Sequence, residues 1–326
     1  MSNQTFRFLS SEDVKKCLSM AQAIELMKDA FIQLSSNVAT VPVRQNLPLS
    51  QDEGTALFMP VYFPNRHFGV KVVSIMDNNP SKDLPLVQSM VMILDSKTGQ
   101  PLALMDGEHL TALRTGAASG LATDLLARKE AEVVAIFGVG FQARFQLEGV
   151  CEVRNIKQAY ILNRTREKAE GFSKEMSEKL SLPIEVADSN SVLSEVDIIC
   201  TATSSSESLF NQQDLKPGTH INAIGSFKPE MCEVPAETVR QAKVVVDQRV
   251  ACLEEAGDII QALRQGFFNI HAEIGDICAG YLKGRENEDE ITLFKSVGNA
   301  VQDLAAATQV LENANDLGLG TELSLK

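Results

Sequence analysis

Residues 133–143, VVAIFGVGFQA, constrain this chain more than any other stretch. A run apolar enough to be buried on both faces passes directly into Gly138-Val139-Gly140-Phe141-Gln142-Ala143, a GxGxxA that opens a helical segment. In such a turn the first glycine permits the tight reversal and the second lets the backbone approach a pyrophosphate. The helix N-terminus adds amide donors and a partial positive charge. Beyond it, strand and helix patterns alternate through ARFQLEGVCEV, AYILN, REKAEGFSKEMSEKL, IEVAD, NSVLSEV, DIICTAT, THINAIG and KVVVDQ. A long helix around ACLEEAGDIIQALRQG and a further strand, ITLFKSVG, complete the series. The order predicts a doubly wound α/β Rossmann domain whose βαβ pattern starts near residue 120. A tight turn that binds nothing would show the same short motif, and it is the train of βα units behind it that turns the reading to dinucleotide binding.

The first third has a different texture. Leu18, Ala21, Ile24, Met27, Ala30, Phe31 and Leu34 recur at helical spacing, with Ser19 or Ser11 as a cap. The runs ALFMPVYF, GVKVVSIM and QSMVMILD, the turn DSKTGQ and the return PLALMD predict a mixed or antiparallel sheet. EHLTALRTGAASGLATDLLAR reads as a helix of small and apolar residues, and the tail NAVQDLAAATQVLENANDLG as a helix stopping at Gly318. GRENEDE, at 284–290, reads as a solvated loop.

Composition narrows the partners. At 326 residues the chain is long enough for about two domains. Its net charge of −13 would repel nucleic-acid phosphates and anionic lipid, so neither nucleic acid nor membrane is expected. No apolar run approaches the roughly 20 residues that cross a bilayer, and the opening MSNQTFRFLSSEDVKK lacks the apolar stretch of a secretory signal; the expected location is cytoplasmic. The six cysteines form no CxxC pair and read as reduced core residues, and the four histidines are dispersed, so no metal site is expected.

At the end of the second Rossmann strand an acidic residue ordinarily binds the adenosine ribose of NAD. This chain instead has Asn163-Arg164-Thr165-Arg166, starting 25 residues after Gly138. Two guanidiniums and a hydroxyl there can hold a 2′-phosphate, which favours NADPH. Alternatively Arg164 or Arg166 begins the next helix and faces water, and Asn163 can bond a free 2′-hydroxyl, so NADH stays possible.

These motifs, together with Val41-Pro42-Val43-Arg44, Gly69-Val70-Lys71, Leu110-Thr111-Ala112-Leu113-Arg114-Thr115-Gly116-Ala117-Ala118, Ile221-Asn222-Ala223-Ile224-Gly225 and Lys295-Ser296-Val297-Gly298, resemble the ornithine cyclodeaminase and mu-crystallin family over nearly the whole chain. The resemblance implies a homodimer. It also implies a dinucleotide-binding Rossmann domain at 119–301 and a mixed α+β substrate-binding and dimerisation domain formed by 1–118 plus 302–326.

The family includes ornithine cyclodeaminases, alanine dehydrogenases, cyclic ketimine reductases and crystallins that bind ligands without catalysis. Cyclodeaminases resemble Gly-Gly-Asp-x-Pro-Gly-Lys-x-Glu after the fifth Rossmann strand. Here the segment is Gly225-Ser226-Phe227-Lys228-Pro229-Glu230-Met231-Cys232-Glu233, with Phe227 where that Asp would stand. A phenylalanine accepts no proton, which opposes ring closure by an amine nucleophile and is compatible with hydride addition in a dry pocket; ordinary packing is the other account of Phe227. The expected activity is NAD(P)H-dependent reduction of a cyclic ketimine, first 1-pyrroline-2-carboxylate to L-proline and then its six-membered analogue.

By the same resemblance Arg44, Lys71 and Arg114 contact the substrate carboxylate. Lys71 stands in HFGVKVVSIM, where a charge on an apolar strand needs a partner and burial can tune it as an acid. Arg44 alone, in a polar segment, reads as a surface residue. Thr115 is assigned to the cofactor phosphate, and Asn222, Gly225, Ser296 and Gly298 to the nicotinamide end, because they end strands on the ligand side of the sheet. Thr203 is assigned to the cofactor as well, while Ser296 could equally be a helix cap.

Overall fold

The computed structural model describes residues 5–64, 66–266 and 269–325, which fall into two units, Met1–Arg114 with Asn299–Lys326, and Thr115–Gly298. The first runs through β1 (Thr5–Leu9), α1 (Ser11–Cys17), α2 (Met20–Ser35), β2 (Gln45–Leu49), β3 (Gly54–Tyr62), β4 (His67–Met76), β5 (Val87–Asp95) and β6 (Pro101–Asp106). Then α3 (Glu108–Leu126) carries the chain into the second unit. There follow β7 (Val133–Phe137), α4 (Phe141–Val153), β8 (Gln158–Leu162), α5 (Arg166–Leu180), β9 (Ile184–Val186), β10 (Ile198–Thr201) and β11 (His220–Ala223). The unit continues with α6 (Ala236–Gln241), β12 (Lys243–Val246), α7 (Arg249–Glu255), α8 (Gly257–Arg264), β13 (Ile270–Glu273), α9 (Ile274–Cys278) and β14 (Thr292–Lys295). Finally α10 (Ala300–Leu317) and β15 (Thr321–Ser324) rejoin the first unit.

In the first unit β2 to β6 form an antiparallel meander, and β1 joins β6 in parallel, giving the order β15-β1-β6-β5-β4-β3-β2. The return at DSKTGQ is built by Asp95, whose Oδ1 accepts from the Thr98 amide at 2.8 Å and from the Thr98 hydroxyl, with Gly99 in the left-handed region. Cross-strand pairing sets Met59, Lys71, Val91 and Met105 side by side in one row, and all four are buried. Ser10 rather than Ser11 caps α1, in a capping box with Asp13, and Ser19 caps α2 with Gln22. α10 opens on an Asn299–Gln302 capping box and stops at Gly318, φ +65.

The second unit is a doubly wound Rossmann sheet of eight parallel strands in the order β13-β12-β14-β11-β10-β7-β8-β9. Strand order reverses between β7 and β10, the place where open α/β sheets take ligands at the carboxyl ends of their strands. The expected single long helix at 251–266 is two, α7 and α8, broken at Ala256. The break brings Gly257 so close to the Met231 carbonyl that a Cβ would lie 1.9 Å from it. It also aims the Asp258 carboxylate at the amides of Glu233 (2.7 Å) and Val234 (3.0 Å). All six cysteines are free thiols, four of them buried, and among the described residues no helix is long and apolar enough to cross a membrane.

Candidate functional site

In the first unit, the apolar row of Met59, Val91 and Met105 leaves Lys71 at 3% exposure with its ammonium directed to α10. There Asp303 Oδ2 lies 2.8 Å from Lys71 Nζ, and Thr111 Oγ1 accepts from it at 3.5 Å. The other carboxylate oxygen of Asp303 accepts from Arg114 Nε at 3.0 Å, and Gln302 Oε1 accepts from Arg114 Nη1 at 2.9 Å. Gln302 is itself held, since the same oxygen accepts the Asn299 amide at 2.8 Å in the α10 cap. One helical turn of α10 therefore fixes two of the three cations that the sequence singled out, Lys71 and Arg114.

Burial draws Lys71 down to about 8; Asp303 opposes that fall, whereas Arg114 and Arg44 add to it. Burial pushes the Asp303 carboxyl up, but Arg114 and Lys71 outweigh it and hold the group below its ordinary range. Lys71, Arg114 and Asp303 together carry one net positive charge inside the protein, and half-buried Arg44 adds to the same field. Such a cluster suits an anion, since a guanidinium and an ammonium facing one place can share a carboxylate. Asp303 and Gln302 escaped the sequence reading, although an acid between Val301 and Leu304 in an otherwise apolar helical run is the partner that Lys71 required.

In the second unit, a cavity of about 760 Å³ opens at the reversal point of the sheet. Its walls come from the segments after β7 (Gly138, Val139, Gly140), β8 (Asn163, Arg164, Thr165), β9 (Asp188, Ser189, Asn190) and β10 (Thr203, Ser204, Ser205). Gly138 has φ +98, and an added Cβ would lie 2.6 Å from the Ala202 carbonyl. At Gly140 a Cβ would meet nothing within 4 Å, and no side chain caps α4, so the space beside Gly140 at the start of the helix is open. These features fit a dinucleotide pyrophosphate. Arg144 braces the turn by donating to the Gly140 carbonyl at 3.2 Å while paired through Nε and Nη2 to Glu175.

The remaining expected residues divide. Arg164 lines the cavity, with Lys168 beside it, whereas Arg166 lies outside and is paired with Glu170 and Asp188. Thr203 lines it too, and Glu233 holds it there by accepting the Thr203 amide (2.7 Å) and hydroxyl (2.8 Å), the Thr201 hydroxyl and the Gly225 amide (2.8 Å). Ser296 Oγ and the Gly298 amide both donate to Asp247 at 2.8 Å. Asn222 is fully buried in β11, donating to Thr123 Oγ1 at 2.9 Å and facing the ring of His220 at 3.2 Å. Burial takes that imidazole down to about 3. Gln142 and Thr115 are partly buried and buried on α4 and α3, Ala143 is buried, and Phe227 is 37% exposed, so it is not a core residue.

Lys295, the charge on the apolar strand β14, is fully buried and lies 3.0 Å from the equally buried Asp258. The sequence reading asked for a partner for Lys71 but not for Lys295. A charge on an apolar strand signals that a buried partner exists, and the fold supplies Asp258, which also accepts the Glu233 amide. Burial pushes the Glu233 carboxyl up against the opposing pull of Lys295. Among the described residues no group of three or more His, Cys, Asp or Glu side chains could hold a metal ion.

The model of the ornithine cyclodeaminase/mu-crystallin family matches residues 5–318. A Delta(1)-pyrroline-2-carboxylate reductase from Bacillus cereus is 40% identical over 321 residues, covering 97% of this chain and 98% of the relative. Among solved structures, the Delta(1)-pyrroline-2-carboxylate reductase of Thermococcus litoralis in complex with NADH and L-proline superposes with a TM-score of 0.93 at 42% identity, covering 97% and 99% of the two chains. An archaeal alanine dehydrogenase dimer with bound NAD superposes at 0.92 with 33% identity, covering 99% and 100%.

Proposed function

Because this chain belongs to the ornithine cyclodeaminase/mu-crystallin family, we propose that its Lys71–Asp303–Arg114 cluster binds the carboxylate of a cyclic ketimine amino acid and its glycine-turn cavity the nucleotide that reduces it. The enzyme is an oxidoreductase acting on C=N, a nicotinamide-dependent reductase that takes 1-pyrroline-2-carboxylate to L-proline. The observation that carries the assignment of the substrate end is the pair of buried cations sharing one buried carboxylate, 2.8 and 3.0 Å away.

When bound, the reduced nicotinamide supplies the hydride. Arg114, with Nε and Nη1 committed to Asp303 and Gln302, keeps Nη2 for the substrate carboxylate. Arg44 reinforces that attraction. Lys71 Nζ serves the imine nitrogen, because the protonated C=N is far more electrophilic than the neutral one; as the new C–H bond forms at the imine carbon, its π pair becomes the amine lone pair. At neutral pH a lysine titrating at about 8 is still mostly charged, and it gives up its proton more readily than an ordinary lysine. Phe227, where cyclodeaminases have an acid, offers no base to an amine nucleophile.

The cofactor cavity has no acid directly after β8, and Arg164 with Lys168 lines it at that place, which supports NADPH over NADH. Asp188 also lines it, and Arg166 neutralises that carboxylate. Thr203, the amides after Gly140 and Asn163 complete the nucleotide site we assign; Gly225, Ser296 and Gly298 shape the strand ends through Glu233 and Asp247.

The assembly we assign is a homodimer. On the sheet face opposite Lys71, pairing sets Phe58, Val72 and Met90 in one row and Pro60, Val70, Met92 and Leu104 in the next. Val72 and Met90 are 38% and 39% exposed, a large apolar face of the kind that a second copy covers. Met90→Glu is expected to yield monomers in sedimentation velocity where the native protein sediments as a dimer; two monomers, or two dimers, would refute the interface.

The decisive assay follows nicotinamide oxidation with 1-pyrroline-2-carboxylate, 1-piperideine-2-carboxylate or pyruvate plus ammonia, and ammonia release from ornithine. We expect kcat/KM for the five-membered ketimine to exceed that of any ornithine turnover at least tenfold, roughly 1.4 kcal/mol in barrier. Robust proline formation from ornithine would instead make the protein a cyclodeaminase with another residue in the role of the missing acid.

A further inference from the structure

Asp303 is fully buried, sits on α10, and touches both cations of the carboxylate site without itself being able to attract an anionic substrate. An acid inside an anion site weakens that site, so its presence calls for a second role. Its two oxygens are divided, Oδ2 at 2.8 Å from Lys71 and Oδ1 at 3.0 Å from Arg114 Nε, and this holds the ammonium and the guanidinium against one carboxylate. Beside Lys71 the paired strands place Met59 and Val91, α3 contributes Thr111 and Arg114, and the segment before β2 contributes Arg44. Asp303 is thus the group that opposes the effect of burial and of two guanidiniums on Lys71.

We infer that Asp303 is a positioning residue that holds Lys71 and Arg114 as one clamp and keeps Lys71 charged until the imine takes its proton. The inference rests on reading Lys71 as the proton donor of the ketimine reductase. It divides two properties that a simple binding cluster would couple. Loss of the Asp303 charge leaves more positive charge for the substrate carboxylate, yet it drives Lys71 toward its neutral form.

The test compares wild type, Asp303→Asn and Asp303→Glu with 1-pyrroline-2-carboxylate from about pH 6 to about pH 9.5. For wild type, kcat should fall as pH rises through about 8. In Asp303→Asn that limb should move down by about 1–3 in pH, so that activity lost at pH 8 returns on acidification, while KM at pH 6 rises no more than about twofold. Asp303→Glu, which keeps the charge, should keep the wild-type limb. A limb in Asp303→Asn at the wild-type pH, or an equal loss at every pH, would overturn the inference.

A second measurement needs no turnover. Protein labelled with ¹³Cε-lysine is titrated by NMR, with the Lys71→Arg spectrum assigning the Lys71 resonance. Its midpoint should lie near 8 in wild type and lower in Asp303→Asn, and equal midpoints would overturn the role of Asp303. A wild-type enzyme that fails to reduce the ketimine would sink the reductase reading alone, because the titration still decides what Asp303 does.

Discussion

Replacing Lys71 with alanine is expected to lower kcat for the cyclic ketimine by about 10²–10⁴-fold, the usual loss on removing a positioned general acid, and to raise KM as well. Arg114→Ala is the companion measurement. A guanidinium stays charged at any working pH, so that change should act through KM and leave most of kcat. Lys71→Arg keeps a cation against Asp303 and should recover binding more than turnover, since an arginine does not release its proton. If Lys71→Ala retained wild-type kcat and KM, with circular dichroism showing an intact fold, Lys71 would leave the site and only Arg44 and Arg114 would remain to hold the carboxylate. The same variant removes one of the two buried partners of Asp303, so the fold control is essential.

Arg164→Ala should weaken NADPH by about 1–3 kcal/mol, roughly 5- to 150-fold, and leave NADH nearly unchanged. Only NADPH carries the phosphate that a guanidinium at the end of β8 can grip. Lys168→Ala should add a smaller loss of the same kind, because an ammonium contributes a point charge without the bidentate geometry. Direct titration, following the fluorescence of the reduced nicotinamide, measures both, and the absence of tryptophan from the chain keeps that signal clean. Equal losses for the two nucleotides would show that Arg164 does not distinguish them.

Local chemistry that repeats at short range was legible from the residues alone. The alternating apolar strands and helices after Glu132 identified the Rossmann sheet, because each βα unit must bury a strand on both faces and a helix on one. GVGFQA located the turn after β7, because glycine alone readily meets the φ of +98 at Gly138 and a bare backbone at Gly140 keeps the space beside it open. Lys71 stood out as a charge within an apolar strand. What such reading did not reach is pairing across long separations. Asp303 lies 232 residues beyond Lys71, and no local pattern of α10 says which strand its carboxylate will meet. The split of 251–266 into α7 and α8 is likewise set from outside, by amides of residues 233 and 234 that take the Asp258 carboxylate.

The sequence by itself determined the strand and helix types and the glycine turn after β7, because these follow from side-chain polarity at periods of two or 3.6 residues and from backbone freedom at glycine. Only the tertiary structure decided that β14, last of its sheet in the chain, is inserted between β11 and β12. It alone decided that Lys295 and Asp258 are buried together, that Arg166 is spent on Asp188 while Lys168 lines the cavity, and that one acid of α10 holds both Lys71 and Arg114. The physical reason is common to the charged pairs. A buried charge must be compensated, and its compensation is drawn from whatever segment the packed fold brings within about 3 Å, at any distance along the chain.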